Sequence, residues 1–162
     1  KMERIQRYSV GIDRTITSKI RSSMSFSMAR NSHQLRGVNL NAPVNGVRPD
    51  PAFANVIEVV PDASTHNYDL LPDISVNFAG GIRNADQAKW NPKRTTVRFN
   101  YRHHRGYNNT DGAFSVSPTG SLDDQWAPAG GDTRHRMRGS VSTQAYRNLN
   151  AQVSWDANSG AP

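Results

Sequence analysis

Apolar and polar side chains alternate in the segment Thr95-Thr96-Val97-Arg98-Phe99-Asn100-Tyr101-Arg102. Apolar and aromatic residues take its later odd positions, while arginines and an asparagine take the even ones. Successive side chains of a strand point to opposite faces of the sheet, so a period of two indicates one apolar face and one polar face. The segment therefore predicts a β-strand, which we place at residues 93–105.

The same alternation recurs along the chain and predicts an all-β protein. It begins near Tyr8, resumes at Ile20 and at Tyr68, and returns in two strands near the C-terminus. We predict antiparallel, up-and-down strands at residues 4–16, 20–30, 66–78, 93–105, 133–145 and 149–157. Strands in globular proteins usually have about 5–6 residues, whereas a tilted membrane-spanning strand needs about 9–11. The strand lengths therefore favour a partial transmembrane β-barrel over a sandwich.

The connections between these strands alternate in length. Thr17–Lys19 and Tyr146–Asn148 are tight turns, and residues 79–92 form a longer turn at the same end of the sheet. Residues 31–65 and 106–132 are predicted as long loops at the opposite end. Short turns at one end and long loops at the other are typical of outer-membrane barrels. Within the first loop, Val56–Val60 is either a strand extension or an inner edge of the loop.

Composition excludes several classes of protein. The chain has 162 residues, about one domain in length, with 35% hydrophobic residues and no cysteine. No apolar run approaches the roughly 18 residues of a transmembrane helix, which excludes a helical membrane protein but not a barrel. The absence of cysteine excludes disulfide frameworks and thiolate metal sites.

The first residues of the sequence and the number of predicted strands bear on whether the chain forms a whole barrel. The sequence begins Lys1-Met2-Glu3-Arg4 without an apolar signal segment, and the smallest membrane barrels have about eight strands. Unpaired strand edges are too costly to leave in lipid. We therefore expect an internal segment of a larger barrel, spanning residues 1–162, unless the membrane interpretation is wrong.

The basic residues suggest a candidate ligand-binding face. The formal net charge is +7, and the polar positions of strands 93–105 and 133–145 are rich in arginine. Arginine facing lipid near the bilayer midplane costs about 2–4 kcal/mol, so these side chains are expected to face the barrel lumen. Their acidic partners are expected from a plug, an anionic solute, or strands outside this chain. The candidate ligand-binding residues in lumen or loop are Arg48, Arg94, Arg98, Arg102, Arg134, Arg136 and Arg138.

Two smaller patterns accompany this interpretation. Several aromatic residues lie near strand ends, as in the interfacial girdles of barrels: Tyr8, Tyr68, Tyr101, Tyr146, Trp90 and Trp155. Asp132 precedes Arg134 by two residues, so the two side chains share a face and are expected to form an ion pair.

No pattern predicts a catalytic residue, a cofactor or a metal site, and we predict that the chain is not an enzyme. The five histidines lack the spacing of a zinc site. Asn108–Gly112 with Asp123 and Asp124 offers oxygen ligands for calcium, but a plain turn is the favoured interpretation because the EF-hand spacing is missing. Arg98 and Arg102 lie on the opposite face from Phe99 and Tyr101, which argues against a nucleic-acid partner.

A loop motif stands at residues 41–51, which read Asn41-Ala42-Pro43-Val44-Asn45-Gly46-Val47-Arg48-Pro49-Asp50-Pro51. This segment resembles the N-A-P-x-N-G-x-R-P-D-P loop of TonB-dependent outer-membrane receptors of the Oar-like type. Further segments resemble motifs of the same family and occur in the same order as in the family, at residues 55–59, 109–115, 126–136 and 155–162. Together the matches cover most of residues 37–162.

The resemblance implies a large barrel in the outer membrane of a Gram-negative bacterium. In that family an N-terminal plug fills the barrel, and a TonB-type protein energises uptake of a solute. The implied partners are outer-membrane lipid, the plug and remaining barrel of the parent protein, the TonB-type protein and a solute that the arginines suggest is anionic. The alternative is a soluble β-rich binding or structural protein whose basic face meets nucleic acid or polysaccharide.

Overall fold

A computed structural model describes residues 2–78, 94–110, 112–114, 116, 126–146 and 149–160. These residues form one open antiparallel sheet and contain no helix. The strands are β1 (Arg4–Thr15), β2 (Ile20–Asn39), β3 (Ile57–Asn77), β4 (Thr95–Asn108), β5 (Ala127–Pro128), β6 (His135–Tyr146) and β7 (Leu149–Asn158). Their order is β1-β2-β3-β4-β6-β7, with the two-residue β5 also paired to β4. The all-β, up-and-down prediction is confirmed.

The register of the strands gives the sheet an apolar face and a polar face. One row across the sheet joins Ile20, Val76, Val97, Val141 and Val153. Three further rows of the same apolar face follow toward the loop end. The first contains Ile74, Phe99 and Trp155, and the second contains Ile12, Met24, Pro72, Tyr101 and Met137. The third contains Val10, Phe26 and Leu70. The polar face carries serines, aspartates and arginines at the intervening positions. The alternation predicted within each strand thus runs continuously across the sheet.

The apolar face is not covered by any other part of the described chain. Ala63 is the one buried hydrophobic residue among the described residues. Val10, Ile12 and Val153 keep 65%, 67% and 71% of their surface exposed. Such a continuous exposed apolar area on a sheet indicates a partner surface outside the described residues.

The Thr17–Lys19 turn is confirmed between β1 and β2. The backbone N–H groups of Ile16 and Thr17 both donate to the Ile20 carbonyl, at 2.9 and 3.2 Å. Thr17 Oγ1 accepts from the backbone N–H groups of Lys19 and Ile20, at 3.2 and 3.1 Å. A threonine that bonds the following backbone closes a tight turn in this way. The predicted turn at residues 79–92 lies outside the described residues, as do positions 147 and 148 of the turn between β6 and β7.

The β2–β3 hairpin is longer than predicted. The expected loop at residues 31–65 is wrong, because β2 runs to Asn39 and β3 begins at Ile57, with Val38 opposite Glu58. The residues Val56–Val60 therefore belong mainly to a strand extension. The pairing bypasses His33 on β2 and Asp62 on β3, and His33 has a φ of 61°. These bulges shift the phase of alternation, which is why the sequence pattern stops at residue 30.

Pro72 marks a local gap in the sheet. It lies inside β3 opposite Met24 of β2, and the pairing of β3 with β4 passes from Leu70 to Asp73 without Leu71 or Pro72. Proline has no N–H to donate, so it removes a ladder hydrogen bond. The register is unchanged on either side of the gap, so the sheet continues past it.

The tip loop, residues 40–56, joins the extended ends of β2 and β3. The Asn41 side chain is buried, and its Nδ2 donates to the carbonyls of Asp50 and Phe53 at 2.8 and 2.6 Å. Asn41 Oδ1 accepts from the Asp50 N–H at 2.8 Å. Asn45 and Gly46 both have positive φ, 52° and 81°, between the mutually bonded Val44 and Val47. An Asn-Gly pair in this conformation is favoured in two-residue hairpins, so the loop has a defined fold.

The second predicted loop, at residues 106–132, is also too broad. β4 continues to Asn108, and β5 pairs with it at Tyr107 and Asn108. The predicted loop therefore begins and ends with paired backbone. Asp111, Ser115 and residues 117–125, including the candidate calcium ligands Asp123 and Asp124, lie outside the described residues.

Candidate functional site

The polar face of β4 and β6 brings together most of the predicted arginines. Arg98 lies opposite Ser140, Arg102 opposite Arg136, and Arg138 opposite Asn100. Arg94 and Arg134 immediately precede β4 and β6. The structure therefore gathers all the predicted site residues except Arg48 along two neighbouring strands.

Aspartates on strands of this chain neutralise much of this arginine cluster. Arg102 Nε lies 2.7 Å from Asp69 Oδ1 of β3. Arg138 Nε and Arg136 Nε lie 2.6 and 3.2 Å from Asp156 Oδ2 of β7. The expectation that acidic partners come only from outside the chain is therefore wrong. The β6–β7 register places Asp156 directly opposite Arg138, which cross-strand pairing favours.

Arg98 differs from its neighbours because it forms no hydrogen bond or ion pair with the described residues. It lines a shallow cavity of about 520 Å³ on the polar face. Asp73, Asn100, Arg138, Ser140, Ser154 and Asp156 also line the cavity. A guanidinium without a carboxylate partner, beside hydroxyl and amide groups, is suited to bind an anionic group.

Arg48 has an architectural role in the tip loop. Its Nη1 donates to the carbonyl of Asn41 at 3.2 Å and to the carbonyl of Ala54. Asp50 Oδ1 accepts from the Ala52 N–H at 2.8 Å, which closes an Asx-turn. The sequence leaves both a loop role and a ligand role open for Arg48, and these contacts support the loop role.

A polar cluster around His104, which the sequence did not predict, lies near the loop end of the polar face. His104 Nδ1 lies 2.9 Å from Asp69 Oδ1, the atom that also accepts from Arg102. His104 Nε2 lies 3.8 Å from Asp132 Oδ1, and the Asp132 side chain is 2% exposed. The predicted Asp132–Arg134 ion pair is wrong, since the buried Asp132 oxygen faces His104 instead.

Aromatic residues of the apolar face fall in two regions. Tyr8 and Tyr68 share one row near the loop end, separated by Met28. Trp155 and Phe99 are closer to the turn end, with ring centroids 6.0 Å apart. Trp155 lies over Gly139, its cross-strand neighbour, and fills the space that a Cβ would need. Tyr101 lies between these regions, and Trp90 is outside the described residues.

The described residues include no group of His, Cys, Asp or Glu side chains arranged to hold a metal ion. They also include no helix long and apolar enough to cross a membrane. No protein-family model matches the chain, and no curated protein or solved structure matches it.

Proposed function

We propose that this chain is part of the wall of an outer-membrane β-barrel receptor that binds a solute and transports it across the outer membrane. The observation that carries the proposal is the continuous, exposed apolar face on a sheet with one buried hydrophobic residue among those described. In water such a face is unfavourable by about 25 cal/mol for each square ångström exposed. A lipid environment removes this cost.

The dimensions of the apolar face support a bilayer. On β3 the face extends from Tyr68 to Val76, which is about 27 Å along a strand rising about 3.4 Å per residue. A strand tilt of about 40° reduces this length to about 21 Å of height, close to the apolar band of about 25 Å in known barrels.

The two unpaired edges of the sheet also support a barrel. β1 and β7 each pair with one neighbour among the described strands. Backbone groups cannot remain unpaired in lipid, so further strands of the parent protein would complete the wall. The resemblance of the tip loop and later segments to Oar-like TonB-dependent receptors supports a plug and a TonB-type energising protein as additional partners.

The first test places arginine on each face of β2. Met24 and Ser25 are adjacent, both exposed, and on opposite faces. We expect Met24→Arg to lower the free energy of unfolding from phosphatidylcholine vesicles by about 2–4 kcal/mol, as for arginine facing lipid near the midplane. Ser25→Arg is the matched control and should have little effect. Denaturant titration followed by circular dichroism measures both.

The soluble alternative makes the opposite prediction. A β-rich protein that folds in water without lipid would tolerate arginine at the exposed Met24 as well as at Ser25. A folded, detergent-free monomer with equal stability in the two variants would contradict the barrel.

The solute-binding part of the proposal is tested at Arg98. Inorganic pyrophosphate serves as the probe, added to the chain folded in vesicles. We expect Arg98→Gln to weaken pyrophosphate binding about tenfold, because a charge-assisted hydrogen bond is lost. Arg7→Gln removes an arginine of the same face that does not line the cavity. Equal affinity in the two variants, measured by calorimetry, would contradict an anion site at Arg98.

A further inference from the structure

The loop end of the apolar face carries a group of arginines that sequence parity did not single out. Arg4 of β1, Arg30 of β2 and Arg105 of β4 all belong to the apolar face, and all are exposed. We call them, with the neighbouring His66, Tyr68 and Tyr107, the basic belt. The belt lies directly beyond the last apolar rows of this face.

The register places the members of the belt close together. Arg30 lies opposite His66, which lies opposite Tyr107, and Tyr68 lies opposite Arg105. Neighbouring strands are about 4.8 Å apart, and Arg105 is also displaced from Arg30 by two residues along the strand direction, so the two backbones are about 12 Å apart. Arg4 lies opposite Ser32, at a diagonal of about 7–8 Å from Arg30.

The arginines of the belt lack acidic partners among the described residues. The rows that contain them hold Ser32, Ser64, Gln6, Tyr8, Met28 and Pro128 besides the belt itself, and none of these is acidic. On the polar face of the same sheet, by contrast, aspartates pair with Arg21, Arg102, Arg136 and Arg138. The difference between the faces indicates that the partner of the belt comes from outside the described chain.

The aromatic groups in the belt, together with Trp126 beside it, fit a membrane interface. Trp126 packs against His66 with ring centroids 4.8 Å apart, and it remains 42% exposed. The arginines supply the positive charge, and Trp126 and Tyr68 supply the amphipathic rings that favour the headgroup level.

We propose that the basic belt binds the phosphate groups of anionic lipids in the leaflet at the loop end of the barrel. This inference rests on the proposed function, because it requires the adjoining apolar face to lie in a bilayer. The belt continues that face without interruption, so lipid headgroups are the anions that its arginines would meet. A polybasic surface gains affinity for anionic headgroups with each added arginine.

The test compares two vesicle types and two double variants of the full chain. Vesicles contain phosphatidylcholine alone or phosphatidylcholine mixed with phosphatidylglycerol. Arg30→Gln with Arg105→Gln removes two charges from the belt, and Arg7→Gln with Lys19→Gln removes two charges elsewhere. We expect the belt variant to lose roughly 30-fold in partitioning into the anionic vesicles, and the control much less. Neither variant should change partitioning into phosphatidylcholine alone.

Trp126 provides a second, local readout. In a variant with Trp90→Phe and Trp155→Phe, its fluorescence should shift further to the blue with anionic vesicles than with phosphatidylcholine. The shift should be lost when Arg30 and Arg105 are replaced by glutamine. Circular dichroism of each bound variant reports whether the β-sheet is retained.

The outcomes separate the two proposals. A chain that folds as a detergent-free monomer in water and partitions into neither vesicle type overturns the barrel and the belt together. A chain that inserts equally well into both vesicle types, or a control variant that loses as much as the belt variant, overturns the belt alone. Binding to soluble polyphosphate as strong as to anionic vesicles would replace the lipid with a soluble polyanion and also overturn the proposal.

Discussion

At the scale of single residues, the sheet depends on how side chains on neighbouring strands share space. Gly139 and Trp155 lie opposite each other, and the indole covers the glycine backbone. Glycine weakens a strand because it leaves a gap and adds backbone entropy in the unfolded chain. An aromatic side chain laid over a cross-strand glycine compensates for that gap.

Gly139→Ala is expected to destabilise the sheet by about 1–3 kcal/mol, because the new Cβ would collide with the indole of Trp155. Gly11→Ala is the control, since a Cβ there meets its nearest atoms at 3.5 and 3.6 Å, which is ordinary contact. Denaturant unfolding in detergent micelles measures both. Adding Trp155→Ala should remove most of the effect of Gly139→Ala, and an additive double-mutant cycle would contradict the steric account.

At the scale of elements, the extended β2–β3 hairpin is stabilised by an ion pair beyond the apolar rows. Arg36 Nε and Nη2 donate to Asp62 Oδ1 and Oδ2 at 2.6 and 3.1 Å. The Arg36 side chain is 7% exposed and Asp62 44% exposed. The hydrogen bonds from Arg36 hold the pKa of the Asp62 carboxyl below its usual range. Because Asp62 is the bulged residue, the pair also holds the bulge in place.

Asp62→Asn is expected to destabilise the hairpin extension by about 1–3 kcal/mol, since it leaves a buried guanidinium without its carboxylate. Asp13→Asn is the control, because it breaks the exposed pair with Arg21, which water and salt screen, and its effect should be much smaller. The depressed pKa of Asp62 adds a pH dependence of known sign. The stabilisation that the ionised Asp62 carboxylate gives to the hairpin extension is complete above the unfolded pKa near 3.8. This stabilisation is lost as the pH falls through the lower pKa of the folded state.

Amide hydrogen exchange of residues 34–39 and 57–62 measures the stability of the extension across that pH range. Protection in the unsubstituted chain should fall under acid conditions, and protection in Asp62→Asn should be low throughout. Equal protection of the two proteins near neutral pH would contradict a stabilising role for the pair.

The sequence predicted the existence of six strands because their alternation is local. It did not predict the extensions of β2 and β3, since the bulges at His33 and Asp62 reverse the phase that a period-two pattern requires. The aspartate partners of the arginines were missed because they depend on register. For one pair a signal was present: a hairpin centred on position 147 places Arg138 opposite Asp156. The His104 cluster depends on Asp132, outside any strand, and had no such signal.

At the scale of the whole molecule, the sheet formed by the described residues has two free edges, and no described residue covers its apolar face. Among the described strands, β1 and β7 each expose one row of backbone donors and acceptors. Long, exposed edge strands pair readily with other chains. The described sheet therefore lacks neighbours along both edges as well as a partner for its apolar face.

The free edges predict how the chain behaves in isolation. Single cysteines at Val10 of β1 and Val153 of β7 should form disulfides between copies in detergent micelles, because the edges pair with each other. A cysteine at Met24 of the interior strand β2 should crosslink far less, although all three positions are exposed. The chain has no cysteine of its own, so non-reducing electrophoresis measures each directly. Equal crosslinking at all three positions would contradict edge pairing.

The internal bonding of the tip loop has a consequence for how this protein can diverge. Asn41 and Arg48 bind carbonyls within residues 40–56, so the loop keeps its fold without contacts from the Val44–Val47 hairpin to the sheet. Substitutions at Val44 or Val47, which are 66% and 71% exposed, leave that bonding intact. We expect related sequences to differ at this hairpin while retaining Asn41 and Arg48, so that the exposed surface can change while the loop keeps its fold.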